Sequence, residues 1–377
     1  MLKRITIENY KAFRDVTTIE LRPITVLLGK NSSGKSSICK LLSVLSYVLS
    51  DKGKGVFSLL SEDVQLGTMY SDLFHTGVLS KLKFEMTFGN QDMMNLNYMM
   101  TDGDFILHEY KVSQDGHNLE RIYKNKDDIK DFDGLTQNTD FKKAGLVADD
   151  FRFLVNYIGP VRALAQRSIY SMTLGVTDTH KVGYRGENTP AILLKSFLSD
   201  KQLFDKVSKW YSNNMDGQLL AFIRNGEQSG NYSLMVKRGG ATVNLADVGE
   251  GTNQLLPIIT QTYSNNADIT IIEQAGLHLH PSAQANVAYR IAEAAVESGK
   301  TYLVESHSEN FVLGLRNMVA HHKLSPQDVA IYYVDHDGDS AFAKLYEIEE
   351  NGSMSDWPTG IFAEDFQLLK EINKVAQ

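Results

Sequence analysis

Residues 24–36 read ITVLLGKNSSGKS, and the reading of this stretch decides how the rest of the chain is taken. Ile24 to Leu28 form a short β-branched and leucine run, which predicts a buried strand. Gly29, four residues, and then Gly34-Lys35-Ser36 complete the spacing G-x-x-x-x-G-K-S. Ile38, Leu41, Leu42, Leu45, Val48 and Leu49 follow at helical spacing, so strand, loop and helix are expected in that order. Such a loop turns its backbone amides inward around an anion, and the new helix points its positive end at the same place. The candidate phosphate contacts are Gly29, Asn31, Ser32, Ser33, Gly34, Lys35, Ser36 and Ser37. Lys35 is spaced to reach β- and γ-phosphates and Ser36 to place its hydroxyl on Mg²⁺, so ATP with Mg²⁺ is the expected cofactor pair.

The composition bounds what can surround this loop. A chain of 377 residues has room for one large domain or two smaller ones. A net charge of −8 argues against a broadly basic surface for DNA or RNA but leaves a local basic groove, and so a nucleic-acid partner, open. No apolar run reaches membrane-spanning length, and MLKRITIENY alternates like a strand rather than a signal peptide. A cytoplasmic protein without a membrane partner is expected. The single cysteine, Cys39, cannot form an internal disulfide, and it reads as a small buried residue on the helix after the loop.

Outward from the loop, Leu2, Ile5 and Ile7 alternate with polar residues as a half-buried strand does, and Val16–Leu21 reads as a second strand after a turn over 9–14. Residues 81–125 hold several alternating runs separated by turn-formers such as Asp102-Gly103, which predicts an antiparallel meander. From 141 to 211 the pattern becomes helical without sustained heptads, so a compact lobe is expected. Asp247-Val248-Gly249-Glu250-Gly251-Thr252-Asn253-Gln254 is a second glycine-rich loop opening a helix, again suited to an anion. Ile269–Ile272 and Thr301–Val304 are further buried-strand runs, the first ending in Glu273-Gln274 and the second in Glu305-Ser306-His307.

LKRITIENYKAF followed by ITVLLGKNSSGKSS resembles the opening of SMC/RecF-type ABC ATPases, and especially the compact overcoming-lysogenization-defect (OLD) class. The resemblance covers roughly residues 1–80 and 245–377 well and the middle weakly. It implies an α/β fold: an ABC/SMC-like P-loop NTPase head with a mixed sheet and an inserted, mainly helical lobe. The expected divisions are 1–125 and 241–377 for the two halves of the head and 126–240 for the lobe. By resemblance Lys11, Phe13 and Arg14 are candidate nucleotide contacts, with a plain solvated turn as the alternative. Gln65 is the candidate Mg²⁺-sensing glutamine, weighed evenly against a surface residue. Gly249, Gly251, Thr252 and Asn253 stand where the ABC signature caps the γ-phosphate held by the other subunit. Glu273 takes the Walker B place as a metal ligand, beside Ser36 and Gln65. His307 matches the switch histidine, and Glu305 is a candidate substitute base.

Departures from the family pattern are equally informative. The position after Glu273 normally carries the glutamate that polarises the attacking water, and here it is Gln274. An amide orients water but cannot accept its proton, so weak catalysis is expected. The proline and glutamate that follow in relatives are replaced by Ala275 and Gly276. His278 and His280 could form a metal pair, but lacking neighbours at ligand spacing they favour a structural or dimer-contact role. Asp335, Asp337 and Asp339 suggest a metal, yet only about 40 residues remain, and strand, Asp-Gly turn, strand is the simpler account. Arg162 and Arg167 read equally as phosphate or partner contacts and as ordinary salt bridges. The resemblance implies a nucleotide-gated homodimer, with a higher oligomer left open. Such a switch or sensor would control an effector protein encoded nearby, commonly a nuclease, in bacterial antiphage defence, with slow or partner-dependent hydrolysis. The alternatives are a RecF-like DNA-repair clamp and a non-hydrolysing, ATP-bound scaffold.

Overall fold

The computed structural model describes residues 1–354 except 62, 63, 77, 79, 131, 176–179, 227–229 and 265. In chain order its first elements are β1 (Leu2–Glu8), β2 (Thr17–Glu20), β3 (Ile24–Gly29), α1 (Lys35–Leu49), β4 (Leu82–Phe88), β5 (Met93–Thr101), β6 (Asp104–Gln114) and β7 (His117–Ile122). The middle holds α2 (Thr139–Lys143), β8 (Val155–Ile158), β9 (Ile169–Tyr170), α3 (Thr189–Leu198), α4 (Gln202–Asn214), β10 (Leu219–Arg224), β11 (Asn231–Arg238) and β12 (Ala241–Asn244). The last part adds α5 (Glu250–Ser264), β13 (Ile269–Ile272), α6 (Pro281–Ser298), β14 (Thr301–Glu305), α7 (Glu309–Ala320), β15 (Val329–Asp337) and β16 (Ser340–Tyr346).

Three sheets result. The central one has the order β16-β15-β3-β14-β13-β8, parallel throughout except for β16. Its apolar runs are continuous because both faces are covered, as parallel sheets require. Leu27, Ile269, Ile271 and Leu303 face the core shared with α1 and the N-terminal sheet. Ile24, Val26, Ile272, Tyr302 and Val304 face the core shared with α3 to α7. The second sheet, β2-β1-β4-β5-β6-β7, is antiparallel and contains the expected meander. Helix α1 is buried between these two sheets, including every apolar position that the periodicity singled out.

The stretch expected to be a mainly helical lobe is built differently. Helices α3 and α4 are present, but they pack beside a small sheet of β10, β11, β12 and β9. Strand β8 lies inside the same stretch and is an outer strand of the central sheet, paired with β13 from Ile269↔Val155 to Ile272↔Ile158. A four-residue buried strand, VNYI, has no period by which it can be told from a helix segment. The terminal stretch SDWPTGIFAEDFQLLKEI, whose sequence predicts a short closing helix, lies outside the described residues. The Asp335–Asp339 stretch forms the hairpin between β15 and β16, with Asp337 opposite Ser340.

The carboxyl ends of five parallel strands thus point to one edge, the place where open α/β sheets bind ligands. Because α1 is enclosed on both sides, Leu42→Ala is expected to destabilise the fold by about 2–5 kcal/mol, while Lys30→Ala on the surface should change it by less than about 0.5 kcal/mol. Urea denaturation followed by circular dichroism checks the difference.

Candidate functional site at the strand ends

The phosphate loop leaves β3 at Gly29 and enters α1 at Lys35, with positive φ at Gly29 (141°), Ser32 (63°) and Gly34 (103°). The two glycines are required by space as well as by conformation. A Cβ on Gly29 would lie 1.9 Å from the Val334 carbonyl oxygen, and one on Gly34 would lie 2.8 Å from the Phe13 ring. Phe13 is fully buried under the loop, so it supports the loop instead of reaching a ligand, which corrects the expected nucleotide contact. Arg14 is exposed and paired with Asp15 at 3.3 Å. The Lys11 ammonium donates to the Leu66 carbonyl at 2.5 Å, tying the N-terminal turn to the segment that carries Gln65. Gln65 itself is exposed and donates to the Gly67 carbonyl.

Lys35 is buried and donates to the carbonyls of Gly29 (3.0 Å) and Lys30 (2.5 Å) and to the Ser33 hydroxyl (3.4 Å). Burial draws its ammonium pKa down, against the pull of Glu305. Asn31 and Ser32 are exposed at the rim, and Ser37 continues the first turn of α1. From the other side β15 presents Asp335, which accepts from Lys30 (3.1 Å) and from the Tyr333 hydroxyl (2.9 Å). His336 reaches the Ser32 carbonyl at 3.3 Å. The acidic hairpin is therefore fastened to the phosphate loop, and Asp337 and Asp339 do not join Asp335 in a ligand group.

Below the loop, Glu273 ends β13 and Glu305 ends β14, with 2% and 5% of their surfaces exposed. Glu273 accepts from the Tyr157 hydroxyl at 2.5 Å, and Glu305 accepts from the Ser36 hydroxyl at 2.8 Å. Their oxygens and the Cys39 sulfur all lie within 4.8 Å of one another. Burial pushes the Glu273 carboxyl above the ordinary range; the Tyr157 hydroxyl opposes this and Glu305 adds to it. Burial likewise raises the Cys39 thiol, which keeps it protonated and inert. Neither carboxylate forms an ion pair among the described residues. Two buried carboxylates flanking a hydroxyl fit a hard divalent cation. Ser36, Glu273 and Glu305 are the residues that would hold Mg²⁺, whose role when bound is to neutralise phosphate charge.

Gln274 follows at φ 50°, a left-handed conformation for a non-glycine residue. It lines a cavity of about 400 Å³ with His307 and Ser306. His307 stands at the mouth of this cleft, and the protein around it, then the charge of Lys35, hold its imidazole pKa below the ordinary value. It is thus neutral near pH 7.

The second glycine loop lies elsewhere. Gly249 and Glu250 are exposed, and a Cβ on Gly249 would touch nothing within 4 Å. Gly251 is different, since a Cβ there would lie 2.6 Å from the His278 carbonyl. That close approach welds the start of α5 to the loop after Glu273, a requirement no spacing rule could reveal. Thr252 is buried with its hydroxyl on Gln218, and Asn253 donates to the Ala163 carbonyl at 3.0 Å. His278 faces Glu250 at 3.5 Å, and His280 caps α6, so the two histidines are not a metal pair. Arg167 makes a surface bidentate pair with Asp247. Arg162 is the residue that sequence reasoning left undecided. It is 3% exposed and donates to the Glu273 carbonyl at 2.6 Å, and burial draws its pKa down to about 10 against the pull of Glu273.

A nucleotide loop at strand ends, a buried acid beside it and a second glycine loop on the same head define an ABC-type P-loop ATPase. Residues 24–313 match the family described as "AAA domain, putative AbiEii toxin, Type IV TA system". This chain therefore belongs to that AAA-domain family, as an ATPase of the SMC/RecF/OLD-like kind. Residues 324–372 match a family described as a protein of unknown function, DUF3696. A search of curated proteins finds no match. Among solved structures, an SMC head bound to the C-terminal winged-helix domain of ScpA is similar at 14% identity, covering 93% of this chain and 98% of that one, with a TM-score of 0.53. An SMC head domain from Thermotoga maritima aligns at 11% identity over 91% of this chain and 98% of that one, with a TM-score of 0.45. An Smc head with an extended coiled coil, bound to the C-terminal domain of ScpA derived from Pyrococcus furiosus, aligns at 12% identity over 99% of both chains, with a TM-score of 0.49. The first of these shows the fold.

The raised Glu273 pKa carries a signed consequence. The native state holds this proton more tightly than the unfolded chain does, so ionised Glu273 lowers stability as pH rises through its folded pKa. Glu273→Gln is expected to raise the melting temperature of the nucleotide-free protein by about 2 °C at pH 8, with the gain vanishing below about pH 4. Mg²⁺·ATP should stabilise the wild type more than the variant, which keeps the loop, Lys35, Ser36 and Glu305 but loses one carboxylate. Differential scanning calorimetry against pH checks both.

Proposed function

We propose that the chain is an ATP-gated dimeric switch that controls a partner effector. In this reading ATP with Mg²⁺ is held by the Lys35 loop, Ser36 and Glu273 of one copy. The Gly249–Asn253 loop of a second copy closes over its γ-phosphate. One observation carries the reading. The glycine loop opens into its own cavity of about 610 Å³, lined by Gly249, Gly251, Thr252, Arg238, His278 and His280, and no residue of the phosphate loop lines it. Two anion-ready loops facing different spaces on one chain are best explained by each serving a different nucleotide.

Hydrolysis is slow in this account. Gln274 can orient water in the cleft it shares with His307, but neither the amide nor a neutral imidazole at the rim replaces a carboxylate base beside the phosphate. Glu305, already engaged by Ser36, is the substitute closest to hand. The matched family's description reads "putative AbiEii toxin, Type IV TA system", and the similar SMC head carries a bound partner domain. Both favour a head that acts through another protein over one that works alone; a role in bacterial defence is part of the same proposal. A second reading, an ATP-bound scaffold that does not hydrolyse, is favoured by Gln274 itself.

Turnover assays with Mg²⁺·ATP separate the two. Wild-type turnover is expected well below about 1 s⁻¹, with Gln274→Glu raising it about tenfold or more and Lys35→Ala abolishing nucleotide binding. No measurable wild-type turnover beside a large gain in Gln274→Glu would favour the scaffold and overturn the switch, and fast wild-type hydrolysis would overturn the role given to Gln274 in both readings. Dimer formation on addition of ATP, followed by sedimentation velocity, is the companion measurement.

A further inference from the structure

The turn after β8 has its polarity inside out. Val161 and Leu164 are 67% and 79% exposed, while Arg162 between them is 3% exposed. A buried cation and bare apolar neighbours are the informative exceptions to ordinary burial. Among the described residues Arg162 makes no salt bridge, although the charge of nearby Glu273 favours it, and its Nε–H is buried with no hydrogen-bond acceptor. Such a group lowers stability, so packing alone does not account for it.

What the arginine does is mechanical. Its Nη2 donates to the carbonyl of Glu273, the peptide that leads directly into left-handed Gln274. The next residue, Ala163, accepts from the Asn253 amide in the first turn of α5. The turn is anchored independently, because Gly159 and Ala163 donate to the Tyr184 and Arg185 carbonyls at 2.7 Å. Tyr184 in turn stacks on Tyr157, whose hydroxyl holds Glu273. Five residues therefore join the acid end of β13 to the glycine loop, and two hydrogen bonds separate the 273–274 peptide from Asn253. A strained residue held from outside is the expected form of a two-state element.

We propose that the 159–163 turn passes the state of one nucleotide site to the glycine loop that closes over the other, with Arg162 as its positioning residue. This rests on the dimeric reading above. Linkage is reciprocal, so closing the glycine loop on a partner's nucleotide also sets the Gln274 peptide of its own chain.

The experiment uses the full chain with Mg²⁺·ATP, recording ATP-driven dimerisation by sedimentation and the Hill coefficient of ATP binding by a fluorescent ATP analogue. The wild type is expected to dimerise and bind cooperatively. Arg162→Met should bring the Hill coefficient to one and weaken ATP-driven dimerisation about tenfold, while ATP affinity of the monomer changes less than about threefold. Arg162→Lys keeps a donor for the Glu273 carbonyl and should restore most of the cooperativity; it also guards against a Met variant that fails to fold. Asn253→Ala breaks the link at its other end, and its effect on dimerisation should not add to that of Arg162→Met. Variants that dimerise with the wild-type Hill coefficient would overturn the link alone. A wild type that stays monomeric in ATP would remove the dimeric reading and the link together.

Discussion

Gly29 passes the Val334 carbonyl so closely that one added methyl carbon would sit 1.9 Å from that oxygen. Every other part of the site is placed relative to this crossing. Strand β3 pairs with β15 up to the register Val334↔Gly29 and with β14 up to Glu305↔Leu27, so the loop emerges between a hairpin and a buried acid. Gly34 then turns against Phe13, and α1 starts with its amides facing the gap. The grip on phosphate is thus a property of backbone paths that only glycine permits, with Lys35 as the one strong charge added to it.

The acids beneath that grip are buried against their own stability, in an arrangement that fits a cation. Glu273 and Glu305 are buried side by side, each with one hydroxyl donor, and burial makes the ionised form of Glu273 unfavourable. The cost is local and falls where function needs charge, as in other strained sites. Arg162 repeats the pattern with opposite sign, a buried cation that serves a backbone carbonyl instead of a carboxylate. Both features mark the end of β13 as the place where stability gives way to chemistry.

Much of this was legible in the residues alone. The spacing of Gly29, Gly34, Lys35 and Ser36 and the apolar runs around it led to the strand, loop and helix now seen, and the alternation over 81–125 led to the meander. The Asp-Gly turn favoured a hairpin at Asp335–Asp339, and β15 and β16 form one. Other features have no local signal. β8 is too short to show a period, and its place is decided by pairing with β13 across more than a hundred residues. Phe13 looked like a contact by position, but its ring fills the space under Gly34. Arg162 could not be separated from a surface arginine, because its burial follows from how the turn folds and not from its neighbours in sequence. Gly251 was singled out only as part of an anion-suited glycine loop, and its tertiary approach to the His278 carbonyl has no local signal.

The central claim is that the two phosphate-binding loops of one chain serve two different nucleotides, each closed by another copy. Asn31 and Gly249 are both exposed, and a side chain at 249 meets nothing nearby, so a cysteine at each can be reached by a reagent once ATP binding by each variant has been verified. The one native cysteine is buried and can be replaced by serine in both partners. Chains carrying Asn31→Cys are mixed with chains carrying Gly249→Cys, and a short bifunctional thiol reagent is added with and without Mg²⁺·ATP. The account predicts a cross-linked pair of one chain of each kind, formed only when ATP is present. Cross-linking that is absent with ATP, or that forms as readily within a single chain carrying both cysteines, would contradict it.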